Sequence, residues 1–158
     1  MRPVKEKKLI VIIGPPGSGK TSLAHTYEGH VIFDNDRVIE AVWGSLQYHA
    51  NIKRMAKGMV REGVQRAVDA GLAIVVPISG RTAKDRSRIA NIGRDAGYHI
   101  TIVKAIATPE ECLERCKADA SRPKSTDWKP IIERWVKVFE AIEDGECDAY
   151  EERAAIEP

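Results

Sequence analysis

The sequence predicts a doubly wound α/β domain in which a four-stranded parallel sheet is flanked by helices. Four short apolar runs, rich in β-branched residues, are typical of buried parallel strands: 9–13, 30–33, 72–78 and 100–107. Segments with helical spacing of apolar residues alternate with these runs. The chain has 158 residues, which is enough for one such domain, 1–158, without disulfides.

The predicted helices lie between and after these strands. They are expected from Lys20 to about Tyr27, along 38–46, along 52–68 up to Gly71, from Ala83 to Ala96, from Pro109 through Cys116, and from Pro130 to about Ile142. A polar, Pro-containing segment at about 117–129 is expected to form a lid. The acidic C-terminal residues are expected to fray.

Composition indicates an ordinary globular protein with a formal charge of +2 and three cysteines. An odd number of cysteines favours a reduced, cytoplasmic setting, and no apolar run is long enough to suggest a membrane span. Cys112 and Cys116 are spaced to hold a metal together, but helix packing explains such a pair better because two further ligands are lacking nearby.

The first apolar run leads directly into a glycine-rich turn with the pattern Gly-x4-Gly-Lys-Thr. Backbone N–H groups of such a turn, together with the following helix N-terminus, surround the phosphates of ATP. Lys20 is expected to reach the β- and γ-phosphates, and the Thr21 hydroxyl to ligate Mg²⁺. The predicted ATP-binding residues are Gly14, Pro15, Pro16, Gly17, Ser18, Gly19, Lys20 and Thr21.

A charged cluster follows the second strand, and ligands of open α/β sheets bind at the carboxyl ends of the strands. Asp34 could accept the proton of an acceptor hydroxyl, and Arg37 could position an anionic acceptor. Asp36 is a candidate magnesium ligand beside Thr21. Alternatively, Asp36 only caps the helix and Arg37 is only solvated.

The two motifs, Gly-x-Pro-Gly-Ser-Gly-Lys-Thr and Asp-x-x-Arg after the second strand, resemble the phage polynucleotide kinase branch of the P-loop kinases. The similarity extends through the later strands to the segment 109–115. It implies a four-stranded core of order 2-3-1-4, use of ATP with Mg²⁺, and phosphorylation of a nucleic acid 5′ hydroxyl. It also implies phosphate and metal roles for Lys20 and Thr21, a general base in Asp34, and an acceptor-phosphate contact for Arg37.

Two departures from that family concern the acceptor and the lid. Ser79-Gly80-Arg81 stands where the family has an Asp-Thr/Ala-Asn-like triplet after the third strand. In the lid, Arg115 is an expected ATP contact, but Asp119 occupies the position of the second arginine. Arg122 is the nearest replacement as the lid cation, with Lys117 and Lys124 as lesser candidates.

Basic residues concentrate on two predicted helices, and the acidic residues lie near the C-terminus. Such asymmetry is compatible with an anionic polymer crossing the site, and equally with an ordinary solvated surface. Of the tryptophans, Trp43 and Trp135 are expected in the core, whereas Trp128 is the candidate for stacking on a base. The basic residues are Arg54, Lys57 and Arg61 on one helix, away from Met55 and Met59, and Arg81, Lys84, Arg86, Arg88 and Arg94 at and after the third strand.

The sequence therefore predicts an ATP-dependent kinase that phosphorylates a hydroxyl of nucleic acid, at a polynucleotide 5′ end or on a modified base. The second hypothesis is a small-molecule kinase of the shikimate or nucleoside/nucleotide type, in which Asp34 and Asp36 serve the metal and substrate hydroxyls. The third is a nucleotide-binding regulatory module. It is disfavoured because the third strand ends Ile78-Ser79, without an aspartate to hold Mg²⁺.

Overall fold

A computed structural model describes residues 1–46 and 49–155. Its sheet has five parallel strands in the order β2-β3-β1-β4-β5. The strands are β1 Lys8–Ile13, β2 Val31–Ile32, β3 Ile74–Ile78, β4 His99–Ile106 and β5 Ala149–Ala154. The order predicted for the first four strands is confirmed. The predicted number of four strands is wrong, because the sheet has a fifth strand, β5, at its edge.

The centre of the sheet is the strand that precedes the glycine-rich turn. Leu9 of β1 pairs with Ile74 of β3 on one side and with Ile100 of β4 on the other. Residues 9–13 of β1 are all buried, because helices cover both faces of the sheet. This two-sided burial explains the uninterrupted apolar run in the sequence.

Six helices connect and flank the strands of the described chain. They are α1 Lys20–Ala24, α2 Asn35–Trp43, α3 Ala50–Asp69, α4 Ala83–Arg94, α5 Pro109–Ala118 and α6 Trp128–Val138. The clearest difference from prediction is α6, which begins at Trp128 because Asp127 caps its first turn. It ends at Val138 rather than near Ile142, because the next residue, Phe139, has an extended backbone conformation.

Helices α3 and α4 pack on one face of the sheet, and α1 packs on the other. The first cluster includes Val60 and Val64 of α3 with Ile89 of α4, and the second includes Leu23 of α1. Helices α5 and α6 share a smaller cluster of their own, formed by Cys112, Cys116 and Ile132. None of the helices in the described part of the chain has the length and hydropathy needed to span a bilayer.

The C-terminal residues form β5 instead of fraying. This strand lies beside β4 in parallel register, and just before it an Asp148 carboxylate oxygen accepts a hydrogen bond from the Ile100 amide at 2.7 Å. The sequence of β5 is polar because both of its faces are largely exposed at the sheet edge. A prediction from apolar runs therefore could not find it.

Arg86 is buried, in contrast to its predicted place on an exposed basic surface. Its guanidinium pairs with Glu146 through two nitrogens and donates to the Gly80 carbonyl at 2.8 Å. Glu146 lies just before β5, so this ion pair joins α4 to the chain that enters the edge strand. Arg86 therefore has a structural role and cannot contact an external polymer.

The prediction that Trp43 lies in the core was wrong, and the same prediction for Trp135 is confirmed. Met55 and Met59, which belong to the apolar spacing along 52–68, also lie outside the buried face of α3. Trp43 is 48% exposed, and Met55 and Met59 are 46% and 47% exposed, whereas Trp135 is 4% exposed. The buried face of α3 consists of smaller residues that allow the helix to lie close to the sheet: Ala56, Val60, Val64, Ala67 and Val68.

We expect Arg86→Met to lower the free energy of unfolding by about 3 kcal/mol, because it leaves the Glu146 carboxylate, whose side chain is 12% exposed, without its charged partner. Urea denaturation followed by circular dichroism measures the change. Arg66→Met is the matched control, since Arg66 and Glu62 form an exposed pair with 78% and 66% side-chain exposure. An equal loss in both variants would contradict a special role for the Arg86–Glu146 pair.

Candidate active site

The predicted site residues converge at the carboxyl edge of the sheet. The glycine-rich turn, 14–19, follows β1, and Asp34 follows β2. The segment between α5 and α6, which matches the predicted lid, is reached from β4. Because the strands are parallel, these loops meet over the same edge, where open α/β sheets bind ligands.

The glycine-rich turn has no room for side chains at two of its glycines. Gly17 has φ +79°, and a Cβ there would lie 2.2 Å from the Cys112 carbonyl oxygen and 2.9 Å from Cys116 Sγ. Gly19 has φ +94°, and its Cβ would lie 2.3 Å from Ala155 Cβ. The turn is thus held between α5 and the residue after β5, with backbone conformations that favour glycine.

Lys20 lies folded back on the turn that it follows. Its Nζ donates to the carbonyl oxygens of Gly14 at 2.8 Å and Pro15 at 2.9 Å. Burial lowers the pKa of Lys20 to about 8, an effect that the nearby carboxylate of Asp36 partly offsets. The positive charge of Arg122 adds to the lowering. The charge of Lys20 is therefore only partly neutralised by nearby carboxylates, and an anion can displace the two backbone carbonyls as its hydrogen-bond acceptor.

The cradle also contains one buried hydroxyl without a hydrogen-bond partner among the described residues. Ser18 Oγ is fully buried, and it lies 2.4 Å from the position that a Gly14 Cβ would occupy. Gly14 must therefore lack a side chain for Ser18 to fit. A concave glycine turn with a cation at its rim is a fitting site for phosphate.

The Thr21 hydroxyl donates to Asp34 Oδ2 at 2.8 Å. The other carboxylate oxygen of Asp34 accepts the backbone N–H of Asp36 at 3.0 Å, which caps α2. Asp34 is buried, whereas Asp36 is exposed. A hydroxyl and a carboxylate are hard oxygen ligands that suit Mg²⁺, so Thr21 and Asp34 form a pair of candidate ligands. The magnesium role of Asp36 stays a prediction.

Arg37 lies in the first turn of α2 and is exposed. Its Nη1 pairs with Glu40 at 2.9 Å, and this hydrogen bond raises the pKa of Arg37. The negative charges of Asp34 and of Asp119, in the lid segment, also raise the pKa of Arg37. Arg37 therefore lies between the lid segment and the residues Asp34 and Asp36, which we call the acidic junction. Its exposure leaves it accessible to an acceptor.

Two arginines, one in α5 and one in the lid segment, lie near the glycine-rich turn, residues 14–19, which we call the phosphate turn from here on. Arg115 Nη1 donates to the Gly17 carbonyl at 3.3 Å. The Arg122 guanidinium lies 5.0 Å from the centre of the Trp128 ring, and its Nε pairs with Asp119 at 3.3 Å. Lys124 instead donates to the backbone carbonyls of Lys117 and Asp119. Of the lid cations proposed from the sequence, Arg122 is the one whose charge acts on Lys20.

Asp119 organises the lid, a role that the sequence did not suggest. Its Oδ1 accepts hydrogen bonds from the Ser121 amide at 2.9 Å and the Ser121 hydroxyl at 2.6 Å. Burial by itself raises the pKa of Asp119, but these bonds and the charge of Arg122 hold the pKa below its ordinary value. Asp119 thus replaces an expected cation with an anion that positions the arginine three residues later.

The end of β3 carries no carboxylate. There the Trp135 indole N–H donates to the backbone carbonyl and to the hydroxyl of Ser79, at 3.0 and 3.1 Å. Cys112 and Cys116 are buried behind Gly17, and within the described residues no group of three or more His, Cys, Asp or Glu side chains is placed to hold a metal. The two thiols therefore serve packing of α5 against the phosphate turn.

A family model described as an AAA domain matches residues 9–139. The chain belongs to this AAA domain family. Comparison with curated proteins by sequence finds no match. The matched segment begins in β1 and runs to the end of α6, so it contains the phosphate turn, the acidic junction and the lid.

Solved structures show that the fold is that of the P-loop kinases. A protein of Chloroflexus aurantiacus that has been classed provisionally as a kinase is 17% identical, with a TM-score of 0.73 over 96% of this chain and 89% of that one. A chain of the Pnkp1/Rnl/Hen1 RNA repair complex is 19% identical, with a TM-score of 0.65 over 84% of this chain and 43% of that one. Shikimate kinase from Acinetobacter baumannii, in complex with shikimate, is 17% identical, with a TM-score of 0.59 over 90% and 82% of the two chains.

We expect affinity for ATP to fall as the pH rises through about 8, because Lys20 then loses its charge in the free protein. Below that pH the ammonium is present and attracts the phosphates. Isothermal titration calorimetry with Mg²⁺ and ATP, from neutral to alkaline pH, measures the dependence. Lys20→Met should bind more weakly and lose most of this pH dependence. A wild-type affinity that is constant across this pH range would contradict the assignment.

We expect ATP to change the fluorescence of Trp128, because Arg122 must leave the ring in order to contact phosphate. A titration of tryptophan fluorescence with ATP measures this, and Trp128→Phe should remove the signal. Trp43→Phe is the control, since Trp43 is exposed on α2. If Arg122→Ala keeps the full signal, the lid cation is Arg115 instead.

Proposed function

We propose that the protein is an ATP-dependent kinase that transfers the γ-phosphate of ATP to a hydroxyl group of nucleic acid. The observation that carries this proposal is the pairing of Thr21 with the buried carboxylate of Asp34, beside the phosphate turn and Lys20. This pairing brings a proton acceptor, a magnesium ligand and a phosphate-binding cation into one crevice.

The chemistry is an in-line transfer. The acceptor oxygen forms a bond to the γ-phosphorus while the bond to the bridging oxygen of ADP breaks, and Asp34 accepts the hydroxyl proton. Lys20 and the lid cation, Arg122 or Arg115, offset charge that develops on the transferring group. Thr21 and an aspartate of the junction would hold Mg²⁺, which would supply further neutralisation of the phosphates.

The charges around the crevice support an anionic acceptor. Arg37 is exposed next to Asp34, while Arg81 and Lys84 lie between the end of β3 and the first turn of α4. With Ser79 bonded to Trp135, the loop after β3 offers basic and backbone groups instead of an acidic side chain. Such a surface suits a sugar-phosphate chain whose hydroxyl, at a 5′ end or on a modified base, enters beside Asp34.

A small-molecule kinase is the second candidate, and the exposed Asp36 favours it. Asp34 and Asp36 follow β2 as a pair, so one carboxylate could serve the metal and the other a substrate hydroxyl. Shikimate kinase and a gluconokinase from Sinorhizobium meliloti share the fold, which is equally compatible with this reading.

We expect γ-labelled ATP to label oligonucleotides, and Asp34→Asn to lower kcat by about a hundredfold with little change in ATP affinity, because the amide cannot take a proton. The measurement is label transfer to a panel of acceptors. The panel contains 5′-hydroxyl DNA and RNA, DNA with hydroxymethyl bases, nucleosides, shikimate and gluconate.

Asp36→Asn is the matched control for Asp34→Asn. On the nucleic acid hypothesis, Asp36→Asn has the smaller effect on kcat, because Asp36 is exposed and only its backbone bonds to Asp34. If a small hydroxylated acid outcompetes every oligonucleotide and Asp36→Asn is the more damaging change, the small-molecule candidate replaces the proposal.

A further inference from the structure

A groove of about 740 Å³ lies between α3 and α4, outside the crevice described above. We refer to it as the α3–α4 groove. The described residues that line it are one small apolar residue and five cations, namely Ala50, Lys53, Arg54, Lys57, Arg61 and Arg88. The last of these comes from α4, so two helices contribute charge to the same space.

The positive charge of the groove is largely uncompensated. Within the described residues, no ion pair engages Arg54, Lys57 or Arg61. Arg88 has a loose contact with Asp85 at 3.8 Å. A concave surface with this much unpaired charge attracts anions strongly and focuses their approach.

The cations of α3 repeat along the helix. Lys53, Lys57 and Arg61 are four residues apart, so each lies about one turn, or about 6 Å, beyond the last on one side of α3. A row of evenly spaced cations matches a ligand with repeated anions better than it matches a single phosphate. The described lining has no aromatic ring, so it offers phosphate contacts without a platform for bases.

One end of the groove adjoins the acidic junction of the candidate active site. Lys53 lies in the first turn of α3 and is within the electrostatic influence of Asp36. Burial lowers the pKa of Lys53, and the carboxylate of Asp36 opposes that effect. The row of cations therefore begins beside the crevice and leads away from it along α3.

We infer that the α3–α4 groove binds the sugar-phosphate backbone of a single-stranded nucleic acid whose reactive hydroxyl lies at Asp34. This inference rests on the proposed function, and it assigns the backbone to α3 instead of to Arg86. Contacts of this kind position the chain without reading its bases, so binding should depend little on sequence.

The test compares two triple variants that each remove three positive charges. The groove variant is Arg54→Gln, Lys57→Gln and Arg61→Gln. The control is Lys5→Gln, Lys7→Gln and Lys8→Gln. These three lysines lie before and at the start of β1, whereas the phosphate turn follows its carboxyl end. All six side chains belong to exposed residues.

Fluorescence anisotropy with labelled single-stranded oligothymidylate, at several salt concentrations, measures binding without any need for turnover. We expect the groove variant to bind at least about tenfold more weakly than the control, and its slope of log K against log salt to fall by about 2, because each lost phosphate contact removes about 0.7. Both variants should keep wild-type ATP affinity and thermal stability.

The possible results distinguish failure of the groove from failure of the proposed acceptor. Equal binding by the two variants, or no binding of oligothymidylate by the wild type at low salt, overturns the inference about the groove. Loss of self-association in the groove variant, measured by sedimentation, overturns it in favour of a second copy of the chain. Groove-dependent binding without label transfer to any oligonucleotide supports the groove and rejects the proposed acceptor.

Discussion

The hydrogen bond between Thr21 and Asp34 holds the two halves of the candidate active site together. Thr21 follows the strand at the centre of the sheet, whereas Asp34 follows the strand at its edge, and β3 lies between these strands. The bond therefore spans the carboxyl end of β3. The end of β3 itself carries Ser79, whose carbonyl and hydroxyl oxygens accept hydrogen bonds from the Trp135 indole. Truncation of the Asp34 side chain would remove this hydrogen bond and the cap of α2 together.

The second constraint is the close packing around the phosphate turn. Helix α5 approaches Gly17, and the residue after β5 approaches Gly19, so the C-terminal segment packs against the glycine-rich turn. The buried pair of Arg86 with Glu146 joins α4 to the chain that leads into β5. The edge strand, polar and largely exposed, is thus connected to the site from two directions. This connection explains how a segment without an apolar run keeps a defined place in the fold.

The electrostatics of the crevice are arranged for an incoming anion. Burial lowers the pKa of Lys20, and the positive charge of Arg122 adds to this lowering. On the proposed function, the phosphates of ATP would offer anionic oxygens to both cations. Asp119, in place of an expected arginine, keeps Arg122 oriented by an ion pair and by the Trp128 ring.

The sequence by itself determined the parallel core, the phosphate turn and the acidic junction. Their signals are local: a buried strand reads as an apolar run, and a phosphate turn requires glycines next to lysine and threonine. Tertiary structure alone decided the place of Arg86, the strand β5 and the exposure of Trp43. Each of these depends on a partner distant in sequence or on the packing of a whole helix face, as Arg86 depends on Glu146, 60 residues away. Charge and hydropathy of a segment do not encode which partner it will meet, because that choice is made by the topology of the folded chain.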